Sequence, residues 1–351
     1  MKVGLFDHLE RSTDRALARQ FDERLDFVQE ADEAGFYCLH VAEHHASPLN
    51  TIPVPGLWLS AVARATKRIR VGPLVYLLPL YSPLRLAEEI CILDHLSKGR
   101  LEVGVGRGVS PFELAFHKIK HEDSREIFKD AFECLKAALS GDTFSYESER
   151  YSYKDVPMPL RPLQQPWPPF WYGSSNEEGS TWAGEHGLHF TTNGPADRAM
   201  INIDAFKAAL AQRGTGPAQP KSGFSGGTVI GLMRHIVLAD TDEEARRIAK
   251  PALEHHTASL NWIRRHHGVK AGDLTTRLNV HRGETFESWD DLGMVVAGSP
   301  KTVLAKLKEQ VAFTGINYLI AYMFFGNMQL ADAQRSLRLF VNEVMPELEK
   351  L

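Results

Sequence analysis

Cysteine, long apolar stretches and excess positive charge are all scarce in this chain of 351 residues. The three cysteines, Cys38, Cys91 and Cys134, are far apart and form no C-x-x-C pair, which argues against a disulfide framework and favours a reducing compartment. No apolar run approaches the roughly 20 residues of a membrane helix, and the first residues become charged too early for a signal peptide. The formal net charge of −4 provides no overall attraction for nucleic acid or an anionic membrane. These absences predict a cytoplasmic protein.

Apolar strand-like runs alternate with amphipathic helical runs along the chain, a rhythm typical of a parallel sheet covered by helices. Because eight strand candidates follow one another with no linker, we predict one (β/α)8 TIM barrel over residues 1–351. Insertions are expected near 141–169, where Thr143–Tyr153 reads as a hairpin, and near 259–296, where Asn261–Gly293 is predicted to be a lid. The predicted strands are Val3–Phe6, Phe36–Val41, Ile69–Leu77, Leu101–Val105, Phe170–Tyr172, Leu188–Thr192, Val229–Leu238 and Asn317–Tyr322.

The residues that follow these strands are candidates for a site, since barrel enzymes use the carboxyl ends of their strands. After the fourth strand, Gly104–Gly108 combines glycines that allow close backbone approach with Arg107, a cation suited to phosphate. A tight turn with a salt-bridged arginine explains the same residues equally well. The glycine spacing does not fit a dinucleotide fingerprint, because the third glycine is one position too early.

Two further segments allow both a structural and a functional interpretation. Gly173–Asn176 precedes a helix, so Ser175 or Asn176 is expected to cap it, while the helix N-terminus is also suited to an anion. Arg125 is either a surface residue or a phosphate partner. Glu43-His44-His45 suggests a metal hydrolase, but neighbouring strand residues face opposite sides and no other cluster has ligand spacing. We therefore predict no metal site and one active-site histidine.

Taken in order, the motifs of this chain resemble those of the bacterial luciferase-like flavin monooxygenases. The similarity covers nearly the whole sequence, and the ordered set of motifs makes it specific. Those motifs are Ala31–Gly35 leading to Glu43-His44-His45, Leu93–Arg100, Gly104–Gly108, Asp123-Ser124-Arg125-Glu126, Ala183–Leu188, Gly298-Ser299-Pro300, Thr314-Gly315-Ile316 and Val344-Met345-Pro346.

This resemblance implies an enzyme that takes reduced FMN from a separate flavin reductase and oxygenates a small organic substrate with O2 through a C4a-peroxyflavin. It implies that His44 is the catalytic histidine and that the enzyme is a homodimer. It also implies a non-proline cis peptide at Leu74-Val75, beneath the flavin. The cofactor-binding residues that it implies are Glu43, Leu74, Val75, Arg107, Arg125, Ser174, Ser175, Asn176, Gly179 and Asn193.

Two departures from the family pattern concern the pocket. Some luciferases have a reactive cysteine on strand four where this chain has Gly106, and family phosphate sites often have a hydroxyl where it has Gly179. Three alternatives to the monooxygenase stay open: hydride transfer with a deazaflavin on the same fold, flavin binding without turnover, and a metal-dependent barrel hydrolase. Neither the substrate nor the choice between FMN and deazaflavin follows from the residues alone.

Overall fold

The computed structural model describes residues 1–213, 227–269 and 285–351. Eight parallel strand positions form the barrel, each mostly buried. The third position is divided into two short strands, and two additional strands form a hairpin outside the barrel. The strands are β1 (Lys2–Asp7), β2 (Cys38–Val41), β3 (Arg70–Pro73), β4 (Tyr76–Leu77), β5 (Val103–Gly106), β6 (Thr143–Glu147), β7 (Ser152–Pro157), β8 (Phe170–Gly173), β9 (His189–Thr192), β10 (Ile230–Leu238), β11 (Val295–Gly298) and β12 (Tyr318–Tyr322).

The strand pairing confirms the barrel predicted from the sequence. The first strand pairs with both β2 and the last strand, β12, and the order continues through β10, β9, β8 and β5 to β4. An isolated parallel bridge between Val71 and Leu101 links the third and fourth strand positions. All strand carboxyl ends therefore lie at one rim, as expected of this architecture.

The helices cover the outside of the barrel and turn the chain back between strands. Helix α1 shows how the sequence sets their ends: its buried residues recur every three or four positions, and it stops where Gly35 adopts a φ of +90°. The helices are α1 (Leu17–Ala34), α2 (Pro55–Ala65), α3 (Pro83–Leu96), α4 (Pro111–Phe116), α5 (Ser124–Ser140), α6 (Glu177–His186), α7 (Ala196–Arg213), α8 (Asp242–His266), α9 (Phe286–Asp291), α10 (Pro300–Thr314), α11 (Leu330–Leu339) and α12 (Met345–Glu349). None of the helices within the described ranges could cross a membrane.

The barrel interior below the rim contains a buried polar group rather than apolar residues alone. The carboxylate of Glu102 accepts hydrogen bonds from the Trp171 indole (2.6 Å), the Tyr37 hydroxyl (2.9 Å) and the Arg70 guanidinium. Its charge is thereby paired, as a buried carboxylate requires. This network fills the bottom of the barrel and leaves the upper end for a ligand.

Two details of the barrel strands differ from the sequence prediction, whereas the predicted hairpin agrees with it. The predicted strand Ile69–Leu77 is interrupted by a cis peptide bond at Leu74-Val75, the position that the resemblance implies. Strand β11 was not predicted, and it pairs with β10 beyond the point where β12 leaves it. The predicted hairpin is present as β6 and β7.

The segment Asn261–Gly293, predicted to be a lid without regular structure, is helical at both ends. The apolar periodicity of α8 predicts an end at His255, but the helix continues to His266, and α9 lies near the other end of the segment. The buried face of α8 continues through His256, Thr257 and Arg264, which are polar, so a search for apolar periodicity ended the helix too early. Residues 270–284 of the predicted lid lie outside the described residues. The polar, Gly/Pro-rich composition of Arg213–Gly227 predicts a loop, and most of that segment lies outside them as well.

Candidate active site

A cavity at the carboxyl ends of the barrel strands brings most of the predicted site residues together. Arg125 and Gly179 do not line it but lie directly beside residues that do. The rim turns and the residues that lead into α6 form part of its lining, and α8 and α9 contribute further residues. The predicted residues in its lining are Glu43, His44, Leu74, Val75, Arg107, Ser174, Ser175, Asn176 and Asn193.

One end of the cavity is cationic. Arg107, on the turn after β5, makes a long hydrogen bond to the Ser124 hydroxyl (3.4 Å), and no carboxylate of the described residues lies within ion-pair distance of it. Burial, followed by the positive charge of Arg125, lowers the pKa of Arg107. Arg125 itself forms an ion pair with the exposed carboxylate of Glu178. Two guanidinium groups are therefore neighbours, and among the described residues only Arg125 is paired with a carboxylate, an arrangement that favours an anionic ligand.

The start of α6 forms the neighbouring wall. Asn176 caps the helix, because its side-chain oxygen accepts a hydrogen bond from the Gly179 N–H at 3.0 Å. The Ser174 hydroxyl lies beside this turn and donates to the Asn176 carbonyl. A Cβ at Gly179 would lie 2.5 Å from the Ser174 oxygen, so the presence of Ser174 explains the glycine.

Gly106 has an equally direct explanation. A Cβ at this position would meet Val75 Cγ2 at 2.5 Å, so a cysteine at the end of β5 would require the Val75 side chain to move. The glycine thus leaves room for Val75. Leu74, Val75 and Gly106 together form an apolar surface in the middle of the cavity.

Glu43 fixes the geometry of the rim. One carboxylate oxygen accepts from the Leu77 N–H (2.9 Å) and the Tyr81 hydroxyl (3.0 Å), and the other is 2.8 Å from His45 Nε2. Because β2 ends at Val41, Glu43 and both histidines lie beyond the strand and escape its alternation. Glu43 thus positions the turn that follows the cis peptide, a role that the sequence did not reveal.

His44 lies in the cavity as one half of an acid–base pair. Its Nδ1 is 3.2 Å from the carboxylate of Glu113, on α4. Burial acts to lower the pKa of His44, but the charge and hydrogen bond of Glu113, together with the charge of Glu43, outweigh it and raise the pKa above its ordinary value. Burial acts to raise the pKa of Glu113, but the charge and hydrogen bond of His44, together with His45, outweigh it and lower the pKa. The pair therefore favours the protonated imidazole next to the apolar surface.

A second group of titratable residues, not predicted as a site, forms another part of the lining. His8 and His256 line the cavity, and the Glu10 carboxylate lies behind them. One ligand atom of each lies within 4.8 Å of the others, close enough for a metal ion. The sequence showed no such cluster, because 248 positions along the chain separate the first histidine from the second. Only the closure of the barrel brings α8 next to β1.

The remaining lining is apolar. Phe6, Met233, Leu260, Trp289 and Met294 face the same space as His8 and His256. Three of these side chains come from β1, β10 and the α8 helix, and the other two come from α9 and the segment before β11. The cavity thus has a cationic end, a flat apolar middle and an apolar chamber that contains imidazoles.

Comparison with known proteins identifies this architecture. A model of the luciferase-like monooxygenases matches residues 1–318. The chain belongs to this family. An uncharacterised family relative from Sinorhizobium fredii is 35% identical over 345 residues, covering 98% of this chain and 96% of the relative. The oxygenase component of a flavin-dependent trigonelline monooxygenase from Acinetobacter baylyi is 24% identical over 356 residues, covering 99% and 95%.

Solved structures of luciferase-like proteins share the fold. Monooxygenase RslO1 from Streptomyces bottropensis has a TM-score of 0.84 at 22% identity, with 99% of both chains covered. The oxygenating constituent of 3,6-diketocamphane monooxygenase from Pseudomonas putida, in complex with FMN, has a TM-score of 0.77 at 22% identity, covering 99% of this chain and 98% of its own. An F420-dependent secondary alcohol dehydrogenase also superposes, with a TM-score of 0.72 at 16% identity and coverage of 99% and 98%. The fold therefore occurs with both flavin and deazaflavin cofactors.

Proposed function

We propose that this chain is the oxygenase component of a two-component monooxygenase that uses reduced FMN and dioxygen to oxygenate a small organic substrate. The observation that carries the proposal is the cationic end of the cavity. Arg107 has no carboxylate partner among the described residues, and Arg125 and the Ser174 hydroxyl lie beside it. A phosphate monoester would neutralise both guanidinium groups and accept hydrogen bonds from them.

The rest of the cavity also suits FMN. Leu74, Val75 and Gly106 present a flat apolar surface next to the cationic end, as an isoalloxazine ring requires. Asn193, at the end of β9, lines the same space. When bound and reduced, FMN supplies the activation of dioxygen, and the protein supplies positioning and exclusion of water.

His44 is the residue that we propose for proton transfer. Its contact with Glu113 holds a proton at Nδ1, and the raised pKa favours an imidazolium that faces the cavity. A cation in that place can donate a hydrogen bond to negative charge that develops on oxygen. Glu113 is a positioning residue in this account, because it acts through His44.

A separate reductase is the proposed source of reduced FMN. The glycine pattern after β5 lacks the spacing of a nicotinamide-binding fingerprint, and the related trigonelline enzyme is named as an oxygenase component. Transfer of reduced FMN between two proteins would then be a diffusive or transient step. The proposal requires the cavity to accept the whole FMN molecule from outside.

Rapid mixing tests this function. The protein is loaded with reduced FMN under nitrogen and mixed with oxygenated buffer, while flavin absorbance and dioxygen consumption are followed. We expect reoxidation of bound FMN to differ in rate and spectrum from that of free reduced FMN. The variant His44→Ala should bind FMN with unchanged affinity and alter the time course.

Other outcomes would identify the alternatives. Tight binding of reduced F420 without dioxygen consumption would indicate hydride transfer. Binding of FMN with a time course that His44→Ala does not change would indicate flavin binding without turnover. Failure to bind any flavin would refute the proposal altogether.

A further inference from the structure

The apolar chamber contains a hydrogen-bond network whose direction can be worked out from its fixed donors. The Glu10 carboxylate accepts at Oε1 from the Tyr322 hydroxyl (2.7 Å), the Gly326 N–H (3.2 Å) and His256 Nδ1 (2.8 Å). The backbone N–H can only donate, and an ionised carboxylate can only accept. Burial acts to raise the pKa of Glu10, but His256 and these hydrogen bonds outweigh it and lower the pKa.

This direction determines the tautomer of His8. Because the Tyr322 hydroxyl gives its hydrogen to Glu10, its oxygen is left to accept a hydrogen bond. The neighbouring atom is His8 Nδ1, at 3.3 Å, which must therefore carry the hydrogen. A neutral imidazole with hydrogen on Nδ1 has a lone pair on Nε2.

His8 is held in that neutral form by its surroundings. The side chain is 7% exposed, and its ring stacks on His44 with centroids 5.5 Å apart. Burial, then the positive charges of His44 and His256, keeps the pKa of His8 well below its ordinary value. The positive charge of Arg24, on α1, also lowers the pKa of His8. A second charge next to an imidazolium is unfavourable, so His8 is an acceptor rather than a cation.

The free lone pair is available to a ligand. His8 lines the cavity, its Nδ1 is turned to Tyr322, and within the described parts of the chain no donor reaches Nε2. Phe6, Trp289 and Met294 line the same chamber. An acceptor placed among apolar side chains contributes binding energy only when a donor reaches it.

From this geometry we propose that His8 Nε2 accepts a hydrogen bond from a hydroxyl group of the substrate. The substrate class is thus a small, otherwise apolar compound with a hydroxyl group, and phenol serves as the probe. This inference rests on the proposed monooxygenase function, since it names the substrate of that site. His8 is accordingly a specificity-determining residue.

A metal ion is the competing occupant of His8, Glu10 and His256. The observed contacts favour hydrogen bonding, because Glu10 Oε1 already has three donors and His256 Nδ1 is one of them. Glu10 Oε2 is buried and has no partner in the described parts of the chain. A metal titration therefore belongs in the same experiment.

The test compares three ligands of similar size by calorimetry on the FMN-loaded protein and on the protein without FMN. Phenol can donate a hydrogen bond, whereas anisole and toluene cannot. We expect phenol to bind roughly three- to tenfold more tightly than anisole, which is the usual effect of one hydrogen bond. In His8→Asn the amide can still donate to Tyr322, but Nε2 is gone, so phenol and anisole should bind equally and toluene should be unaffected.

The variant Tyr322→Phe provides a second test, because it removes the hydroxyl but keeps the aromatic ring at position 322. Without the hydroxyl oxygen the tautomer of His8 is no longer fixed, and the preference for phenol should shrink. Equal binding of phenol and anisole to the unmodified protein, no binding of phenol, or a preference that survives His8→Asn would each overturn the proposal. So would one Zn²⁺ per chain whose binding is lost in both His8→Asn and Glu10→Gln.

Flavin binding is measured separately by fluorescence titration with FMN. If the phenol preference depends on His8 but no FMN binds, the recognition of a hydroxyl by His8 stands and the proposed monooxygenase function fails. If FMN binds and the protein does not prefer phenol to anisole, the proposal for His8 fails and the proposed monooxygenase function is unaffected. The two failures are therefore distinguishable.

Discussion

Replacing Arg107 with glutamine should weaken FMN binding strongly while leaving the fold intact. The guanidinium has one long contact, 3.4 Å to the Ser124 hydroxyl, and no carboxylate of the described residues depends on it. Its removal therefore leaves no buried charge unpaired. A charged hydrogen bond to phosphate is worth about 1.5–3 kcal/mol, which corresponds to a Kd about 10- to 150-fold higher.

Riboflavin provides the matched control, since it has the same ring system and no phosphate. Titrations of FMN and riboflavin against the unmodified protein and Arg107→Gln form a double-mutant cycle. The loss should appear with FMN and be absent with riboflavin, and the melting temperature without flavin should not fall. An equal loss with both ligands would show that Arg107 supports the ring or the fold, and the phosphate assignment would be refuted.

Two further predictions follow from the ion pairs of the site. In Glu178→Gln, the carboxylate that competes with phosphate for Arg125 is removed, so FMN should bind several-fold more tightly in the same titration; weaker binding would contradict this. In Glu113→Gln, the charge that does most to raise the pKa of His44 is removed, so burial, the largest influence, lowers that pKa and the protonated form is lost at a lower pH. The alkaline limb of the activity–pH profile and the imidazole NMR titration should both move to lower pH, and an unchanged titration would show that Glu113 does not control the proton of His44.

The parts of the fold that obey local rules could be predicted from the sequence. All eight barrel strands and the rim that holds Arg107, Ser174 and His44 follow from alternating apolar runs and the residues that end them. A parallel strand is buried on both faces and is therefore apolar throughout, so its own residues are enough to indicate it. The cis peptide at Leu74-Val75 came from the family resemblance alone, as no local pattern indicates it.

The residues that were missed are those whose partners lie far apart in the chain. Glu113 follows a turn with no periodicity, and nothing in its neighbours indicates the contact with His44. His256 was misplaced because it interrupts the apolar face of α8 where that face meets the cavity. Polar residues on a buried helix face interrupt the apolar periodicity from which a helix is predicted. Such residues are expected where the helix face lines a functional site.

In the proposed function, the two stacked histidines of the cavity divide the hydrogen-bond donor and acceptor roles between them. Glu113 raises the pKa of His44, while burial and then the charge on His44 lower the pKa of His8. Titratable neighbours whose environments push their pKa values apart indicate which group donates and which accepts. Glu113 therefore acts on both rings: by favouring the charge on His44 it helps to keep His8 neutral, 5.5 Å away. One cavity can then contain both His44, as a hydrogen-bond donor to the oxygen that is being reduced, and His8, as an acceptor for a substrate hydroxyl. The two roles are compatible because the Glu113 carboxylate favours the charge on His44 and thereby disfavours a charge on His8.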